Sequence, residues 1–395
     1  MKKVLLICCL FLNLGFAKEY KLLNTPSEDF YPNLNTKTCN VNCLFEFLES
    51  GLYLSFLSEF LEQGNEFLTN VYAKLVNSVT DFDANLQKIT SVKLAIILPE
   101  KTLKSYSNTI INSSIAYLLR QRAEIKVKVF LIGTEESSKV NEVLQRIENQ
   151  NYEYVVAGFT LKGVNELVNY NGKLKIFIPS IHKNNTNITN PNIYFGSIDY
   201  DAQITKLLSK ANENIAIFSD NSALSNNLNS RILAFNKAKI YRIEDEKLNF
   251  AKLLYSQGTL NNASIFFNTP LIKTALTSSQ LRVYNLEPFV LLSTQINYNP
   301  SFLSLTQQGD RKKFIIANSI NNNDDNLSYL NALFHQNINY NWIAYATSIG
   351  VDYFYTKFLN KKTKSIFEEN FENSQILYKV RLMKTEKASF EELNE

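Results

Sequence analysis

Val92-Lys-Leu-Ala-Ile-Ile-Leu98 and Ile125-Lys-Val-Lys-Val-Phe-Leu131 are two short β-branched runs, and between them a helical pattern extends from about Leu103 to Arg122. A strand covered by helices on both faces reads as a continuous apolar run, and a crossover between parallel strands takes a dozen or more residues. Both conditions hold, so residues 91–172 open a βαβ series. It continues with a helix over 135–150, the strand Tyr154-Val-Val-Ala157, a helix over 161–170 and the strand Leu174-Lys-Ile-Phe-Ile178. Right-handed crossovers then give a doubly wound α/β sheet.

A second series follows. Ile193-Tyr-Phe-Gly-Ser-Ile-Asp199 is a short extended piece. Strands are predicted at Ile215-Ala-Ile-Phe218, Lys239-Ile-Tyr241, Ser264-Ile-Phe-Phe267 and Phe289-Val-Leu-Leu292, with helices between them. Near Lys313-Phe-Ile-Ile-Ala317 the chain is expected to return to the first sheet, and a long helix over 341–359 and a late strand over 375–383 finish the body. The expected architecture is two α/β lobes joined by more than one crossing: lobe 1 over about 91–198 plus 313–383, lobe 2 over about 199–312, and a polar tail over 384–395.

Ahead of this body the chain opens with Lys2 and Lys3, an apolar stretch, and Gly15 and Ala17 at minus three and minus one of a cleavage site. This is the pattern of a secretory signal peptide over residues 1–17, too short to span a bilayer comfortably. No later apolar stretch reaches membrane-spanning length. Cleavage leaves 378 residues and lowers the formal charge from +4 to +2. A near-neutral chain without long runs of one sign gives no electrostatic case for nucleic acid or an acidic membrane.

Residues 18–90 are expected to form a helical extension. Phe45, Leu48, Leu52, Phe56, Phe60 and Leu61 recur on a helical period, and a second amphipathic run covers 67–79, giving a helical hairpin. Its aromatic residues serve either as a docking surface or as the core of a small cap. Cys39 and Cys43 are the two cysteines left after cleavage. In an oxidising compartment the first reading of that spacing is a local disulfide. Zinc would have only His182 and His335 to add to two thiols, and a redox pair usually has the tighter Cys-x-x-Cys spacing.

The α/β body resembles the type I periplasmic binding protein-like superfamily. It looks most like the branch of amino-acid-binding receptors and periplasmic activators of penicillin-binding proteins. The stretches that carry the likeness are Lys93-Leu-Ala-Ile-Ile-Leu-Pro99, Val155-Val-Ala-Gly158 with Thr160, Phe177-Ile-Pro-Ser180, Tyr194-Phe-Gly-Ser-Ile-Asp199 and Ile343-Ala-Tyr-Ala-Thr-Ser-Ile-Gly-Val-Asp-Tyr353, within residues 91–383. By this resemblance, Thr160 and Ser180 stand where a ligand carboxylate is usually hydrogen-bonded. In open α/β sheets ligands sit beyond the carboxyl ends of strands, which adds Asp220 and Asn268 from the second lobe. Hydroxyl groups at such turns also cap helices without any ligand. Phe159 and the glycine-poor turn after Pro99 are expected to crowd the cleft, and lobe 2 offers no clear acid for a ligand amine.

Catalytic patterns are scarce. Ser180-Ile-His-Lys183 matches Ser-x-x-Lys without an accompanying Lys-Thr-Gly. Gly-x-Ser-x-Gly, His-Glu-x-x-His, Walker A and Gly-x-Gly-x-x-Gly patterns are missing from the sequence, and it has two histidines. No catalytic residue, metal site or cofactor is assigned. Asp324-Asp-Asn-Leu-Ser328, read as a polar loop, fits a bacterial N-glycosylation acceptor at Asn326 with an acid at minus two. The expectation is a non-enzymatic protein of a Gram-negative periplasm. It would be a scaffold or activator of an envelope machine, either a peptidoglycan synthase or a motor component. The alternative is a receptor for an amino acid, peptide or cell-wall fragment.

Overall fold

The computed structural model describes residues 39–61, 65–80, 90–243, 250–255 and 258–393. The expected signal peptide lies outside the described residues. The chain divides into two compact units, Met1–Ile89 and Thr90–Glu395.

In the first unit, Cys39 and Cys43 form a disulfide with their Cα atoms 5.5 Å apart, at the start of helix α1 (Val41–Glu49). Asn40 caps that helix by accepting a hydrogen bond from the Cys43 amide. The expected two-helix hairpin is corrected: among the described residues the first unit has three helices. The first apolar run breaks at Gly51, whose φ of +72° favours glycine, and resumes as α2 (Tyr53–Glu59) before α3 (Glu66–Thr80). Leu44, Phe56 and Leu68 form its core, and Phe60 stacks on Tyr72 at 4.5 Å. Much of the aromatic content is therefore spent inside the unit, although Leu61 and Phe67 remain 57% and 59% exposed.

The second unit contains two seven-stranded sheets. In the first, β1 (Ser91–Leu98) lies between β2 (Glu124–Leu131) and β3 (Tyr154–Ala157), followed by β4 (Lys175–Ile178) and β5 (Ile193–Phe195), all parallel. Alternate β1 residues explain its continuous apolar run. Val92, Leu94, Ile96 and Leu98 meet Ile110 and Tyr117 of the helix Ser105–Arg120 and residues of the helix Trp342–Phe354. Ala95 and Ile97 face Val140, Leu144 and Ile147 of the helix Ser137–Asn149. Each such buried aliphatic side chain stabilises the fold by about 1.5–3 kcal/mol. β2 is the sheet edge and alternates half-buried with exposed residues up to the buried Phe130, and its exposed lysines Lys126 and Lys128 guard that edge.

The second sheet repeats the order with β6 (Ile215–Ser219), β7 (Ala238–Arg242), β8 (Ser264–Asn268), β9 (Val290–Ser293) and β10 (Phe314–Asn318). The expected return of the chain at residue 313 is corrected: β10 pairs parallel with β9 and stays in lobe 2. The expected strand over 375–383 is two strands. β12 (Gln375–Leu377) joins β5 and the short β11 (Asn370–Glu372) in lobe 1, whereas β13 (Arg381–Glu386) pairs antiparallel with β10 in lobe 2. The expected polar tail is also corrected, because it folds back as β14 (Ser389–Glu392) on β13. Its polarity is that of a sheet edge, with Lys384 between Glu386 and Glu391.

Three segments therefore cross between the lobes: from β5 to the helix Tyr200–Leu208, from β10 to the helix Asp325–Leu333, and from β12 to β13. Buried amides tie them together. The Gln203 Nε2 group donates to Ser319 Oγ at 2.7 Å, and the Gln295 amide N–H donates to Gln203 Oε1 at 2.9 Å. The Ser319 N–H donates to Gln295 Oε1 at 2.7 Å, and Gln375 Nε2 donates to the Ser197 carbonyl at 3.0 Å.

The stretch read as a polar loop around Asn326 is corrected to the start of the helix Asp325–Leu333. Asp324 caps it by accepting from the Leu327 N–H at 2.7 Å, and the same carboxylate pairs with Arg120. Asn326 is exposed in the first helical turn.

Candidate cleft between the lobes

The carboxyl ends of the parallel strands of both sheets open onto one cleft of about 920 Å³, toward the upper end of the size range of small-molecule sites. Lobe 1 contributes Ser180 and His182 from the turn after β4, Tyr106 and Thr109 from the helix Ser105–Arg120, and the stretch 335–342 ahead of the helix Trp342–Phe354. Lobe 2 contributes Asn268 and Thr269 from the end of β8, Arg231 and Asn227 from the helix Ala223–Phe235, and Gln295 and Tyr298 from the segment after β9. The first crossing supplies Ser197 to Asp201.

Of the four residues singled out in the sequence, Ser180 and Asn268 line this cleft; Thr160 and Asp220 are not among its lining residues. Thr160 is held by a neighbour in its own lobe. Its N–H donates to Glu135 Oε1 at 2.6 Å and its hydroxyl donates to Glu135 Oε2. Asp220 accepts from the Ser222 N–H at 3.1 Å and lies 3.7 Å from Lys273. The Ser180 hydroxyl donates to the Phe159 carbonyl, and Lys183 Nζ donates to the Asn373 carbonyl, so the Ser-x-x-Lys pair points to separate partners. Phe159 does not crowd the cleft. Its ring is fully buried in the core of lobe 1 with Val164 and Leu167, because the turn after β3 directs it beneath the sheet.

Two charged groups of the cleft, Arg231 and Asp201, are paired with each other. Arg231 pairs with the Asp201 carboxylate, donates from Nε to Asn227 Oδ1 at 2.8 Å, and reaches across to lobe 1 from Nη2 to Asn185 Oδ1 at 3.2 Å. Asp199 caps the helix Tyr200–Leu208 by accepting from the Asp201 and Ala202 amides at 2.9 and 3.0 Å. Burial holds the His182 imidazole below the usual histidine range; Asp199 and Asp201 oppose this and Arg231 adds to it. A second contact between the lobes is aromatic. Tyr298 and Tyr340 have ring centroids 5.0 Å apart, and burial, with Tyr340 alongside, pushes the Tyr298 hydroxyl up to about 12.

Asn268 is 1% exposed. Its Nδ2 donates to Asn229 Oδ1 at 2.8 Å, while its Oδ1 has no partner. The sequence reading missed Tyr106, Arg231, Tyr298 and the stretch 335–342. The alternation of asparagine with large apolar residues in Asn337-Ile-Asn-Tyr-Asn-Trp342 is its one visible signal.

No protein-family profile matches the chain, and no curated protein sequence matches it. Solved structures do. A solute-binding protein of an ABC transporter from Rhodopseudomonas palustris, in complex with p-hydroxybenzoic acid, superposes with a TM-score of 0.55 at 10% identity, covering 76% of this chain and 95% of that one. The branched-chain amino acid substrate-binding protein LivJ of Streptococcus pneumoniae, in complex with isoleucine, gives 0.53 at 12% identity over 76% and 98%. LpoA of Haemophilus influenzae gives 0.53 at 12% identity over 88% of this chain and 69% of its own. With two sheets of the same strand order, three crossings and a cleft at the strand ends, the chain has the two-lobed fold of the type I periplasmic binding protein-like superfamily.

Proposed function

We propose that this protein is a non-enzymatic scaffold or activator of a cell-envelope machine, a peptidoglycan synthase or a motor component, working in the periplasm of a Gram-negative bacterium. One observation carries the reading. Residues Thr90–Glu395 make up about 77% of the chain, so the 88% matched in LpoA has to reach into the helical unit, whereas the 76% matched in LivJ fits within the α/β body. The likeness to LpoA thus extends beyond the α/β body, and the exposed Leu61 and Phe67 of the helical unit offer apolar contact. The signal-peptide pattern at 1–17 and the Cys39–Cys43 disulfide support export to an oxidising compartment. Asn326, exposed with its aspartate at minus two, is the residue proposed for glycan attachment.

The test is crosslinking in intact cells of the native host. The full-length protein is compared with a chain lacking residues 39–89 but keeping the leader. An envelope partner captured by the first and lost from the second is the expected result. Unchanged capture, or capture of none, removes the scaffold reading. A second reading, a solute receptor, is favoured by the open cleft, with Ser180 and Asn268 proposed as ligand contacts and Thr160 and Asp220 as supports behind it.

A further inference from the structure

We propose that the acceptor at Asn326 is open only before lobe 1 folds, so that a glycan reaches it on the unfolded exported chain and the finished fold shuts the site. The inference rests on the reading of Asn326 as the attachment residue and adds the conformation in which attachment takes place.

The side chains that make up the acceptor are Asp324 at minus two, Asn326 itself and Ser328 at plus two. Residues two apart share one face of an extended chain, so a single enzyme surface can read all three there. In an α-helix, residues two apart are turned about 200° from each other and share no face. The structure holds the helix. Asp324 is the N-cap of Asp325–Leu333, and the Ser328 N–H donates to the Asp324 carbonyl at 3.1 Å. Asn326 is exposed, whereas Asp324 and Ser328 are partly buried.

The two outer groups are also engaged. Asp324 Oδ1 accepts from the Leu327 N–H at 2.7 Å, and Oδ2 accepts from Arg120 Nε and Nη2 at 3.1 and 2.7 Å. The Ser328 hydroxyl accepts from Asn322 Nδ2 at 2.7 Å, and the same Nδ2 donates to Asn339 Oδ1 at 3.1 Å. Between them, Leu327 is fully buried in the core of lobe 1. Straightening residues 324–328 therefore withdraws Leu327, breaks the Arg120 pair and uncaps the helix, which keeps the open form a small fraction of folded chains. Because Asn326 is exposed, a glycan already attached is carried by the folded helix. Transfer joins Asn326 Nδ2 to the anomeric carbon of a sugar held on a lipid diphosphate. The anomeric C–O bond breaks, the lipid diphosphate leaves with the bonding pair, and the amide gives one proton to solvent.

The experiment makes the full-length protein first without and then with an inducible bacterial oligosaccharyltransferase and its lipid-linked sugar donor, and reads intact mass. Chains finished before induction should keep the bare mass, and chains made after induction should carry a glycan that Asn326→Gln removes. Arg120→Ala frees the Asp324 carboxylate and Asn322→Ala frees the Ser328 hydroxyl, and both leave the acceptor sequence intact. Each should raise the modified fraction of chains finished before induction about fivefold, with Tm measured alongside to show that the variant is folded. Modification of earlier and later chains to the same extent overturns the inference and leaves Asn326 an attachment residue. Folded variants that both stay as bare as wild type overturn the part given to Arg120 and Asn322. Bare mass in both populations overturns the inference. A peptide of residues 320–332 then decides the attachment reading, which stands if the same enzyme modifies the peptide and falls if it does not.

Discussion

The Glu135 carboxylate rests on Thr160, taking the Thr160 N–H at 2.6 Å on one oxygen and the Thr160 hydroxyl on the other, and Glu135 is only 2% exposed. The pair joins the loop after β2 to the turn after β3. Glu135→Ala leaves the Thr160 donors without their partner and is expected to cost about 2 kcal/mol. Because Thr160 does not line the cleft, ligand affinity should stay within twofold of wild type. Denaturant unfolding and titration of the same variant check both halves.

Gly350 lies in the middle of the helix Trp342–Phe354, where a Cβ would fall into the Phe177 ring. Phe177 is fully buried and is approached from another side by Gly196. Gly350→Ala overpacks this contact and should destabilise the α/β unit by about 1–3 kcal/mol. Phe177→Leu made in the same chain should recover part of the loss, which equilibrium unfolding of the two variants will measure.

Asp352 is 2% exposed and accepts from the Tyr117 hydroxyl at 2.7 Å. Burial raises its pKa above the usual carboxylate range, against the pull of hydrogen bonds from Ser365, Tyr117 and the Ile366 N–H. A folded pKa above the unfolded one means that the fold favours the neutral acid. That contribution is complete below the ordinary carboxylate range and is lost as pH rises through the folded pKa. Asp352→Asn should therefore match wild type in acid and become the more stable protein toward neutral pH. Chemical denaturation of both proteins from pH 4 to pH 8 gives the comparison.

Arg231 reaches from lobe 2 to Asn185 of lobe 1 and is only partly buried. Arg231→Ala should change global stability by less than about 1 kcal/mol. The lobes should open about the three crossings, as hinged folds do when a contact across the cleft is removed. Small-angle scattering is expected to give a larger radius of gyration than wild type.

The Cys39–Cys43 bridge closes a loop of five residues, for which chain entropy gives about 2 kcal/mol. Cys39→Ser, or reduction, should destabilise the helical unit by that amount and leave the unfolding of the α/β unit in place. Two-probe thermal unfolding separates the units.

The sequence by itself determined the elements and their class. β1, β3 and β4 were legible because a strand buried on both faces is apolar along nearly its whole length, and the helix over 105–120 because its apolar residues recur at helical spacing. The carboxyl ends of the strands mark where a cleft lies, and Ser180 after β4 and Asn268 at the end of β8 stand there. Only the tertiary structure decided the addresses. Phe314–Asn318 is as apolar as any lobe 1 strand, and nothing local states that its partner is β9. Residues 375–383 hold one extended pattern, yet the chain crosses between lobes in its middle, because hydrogen bonding to β5 at one end and β10 at the other outweighs continuity. Local sequence likewise could not state that Phe159 turns into the core or that Glu135 occupies Thr160. Both follow from which side chains meet across neighbouring turns, and those meetings exist only once the sheet is assembled.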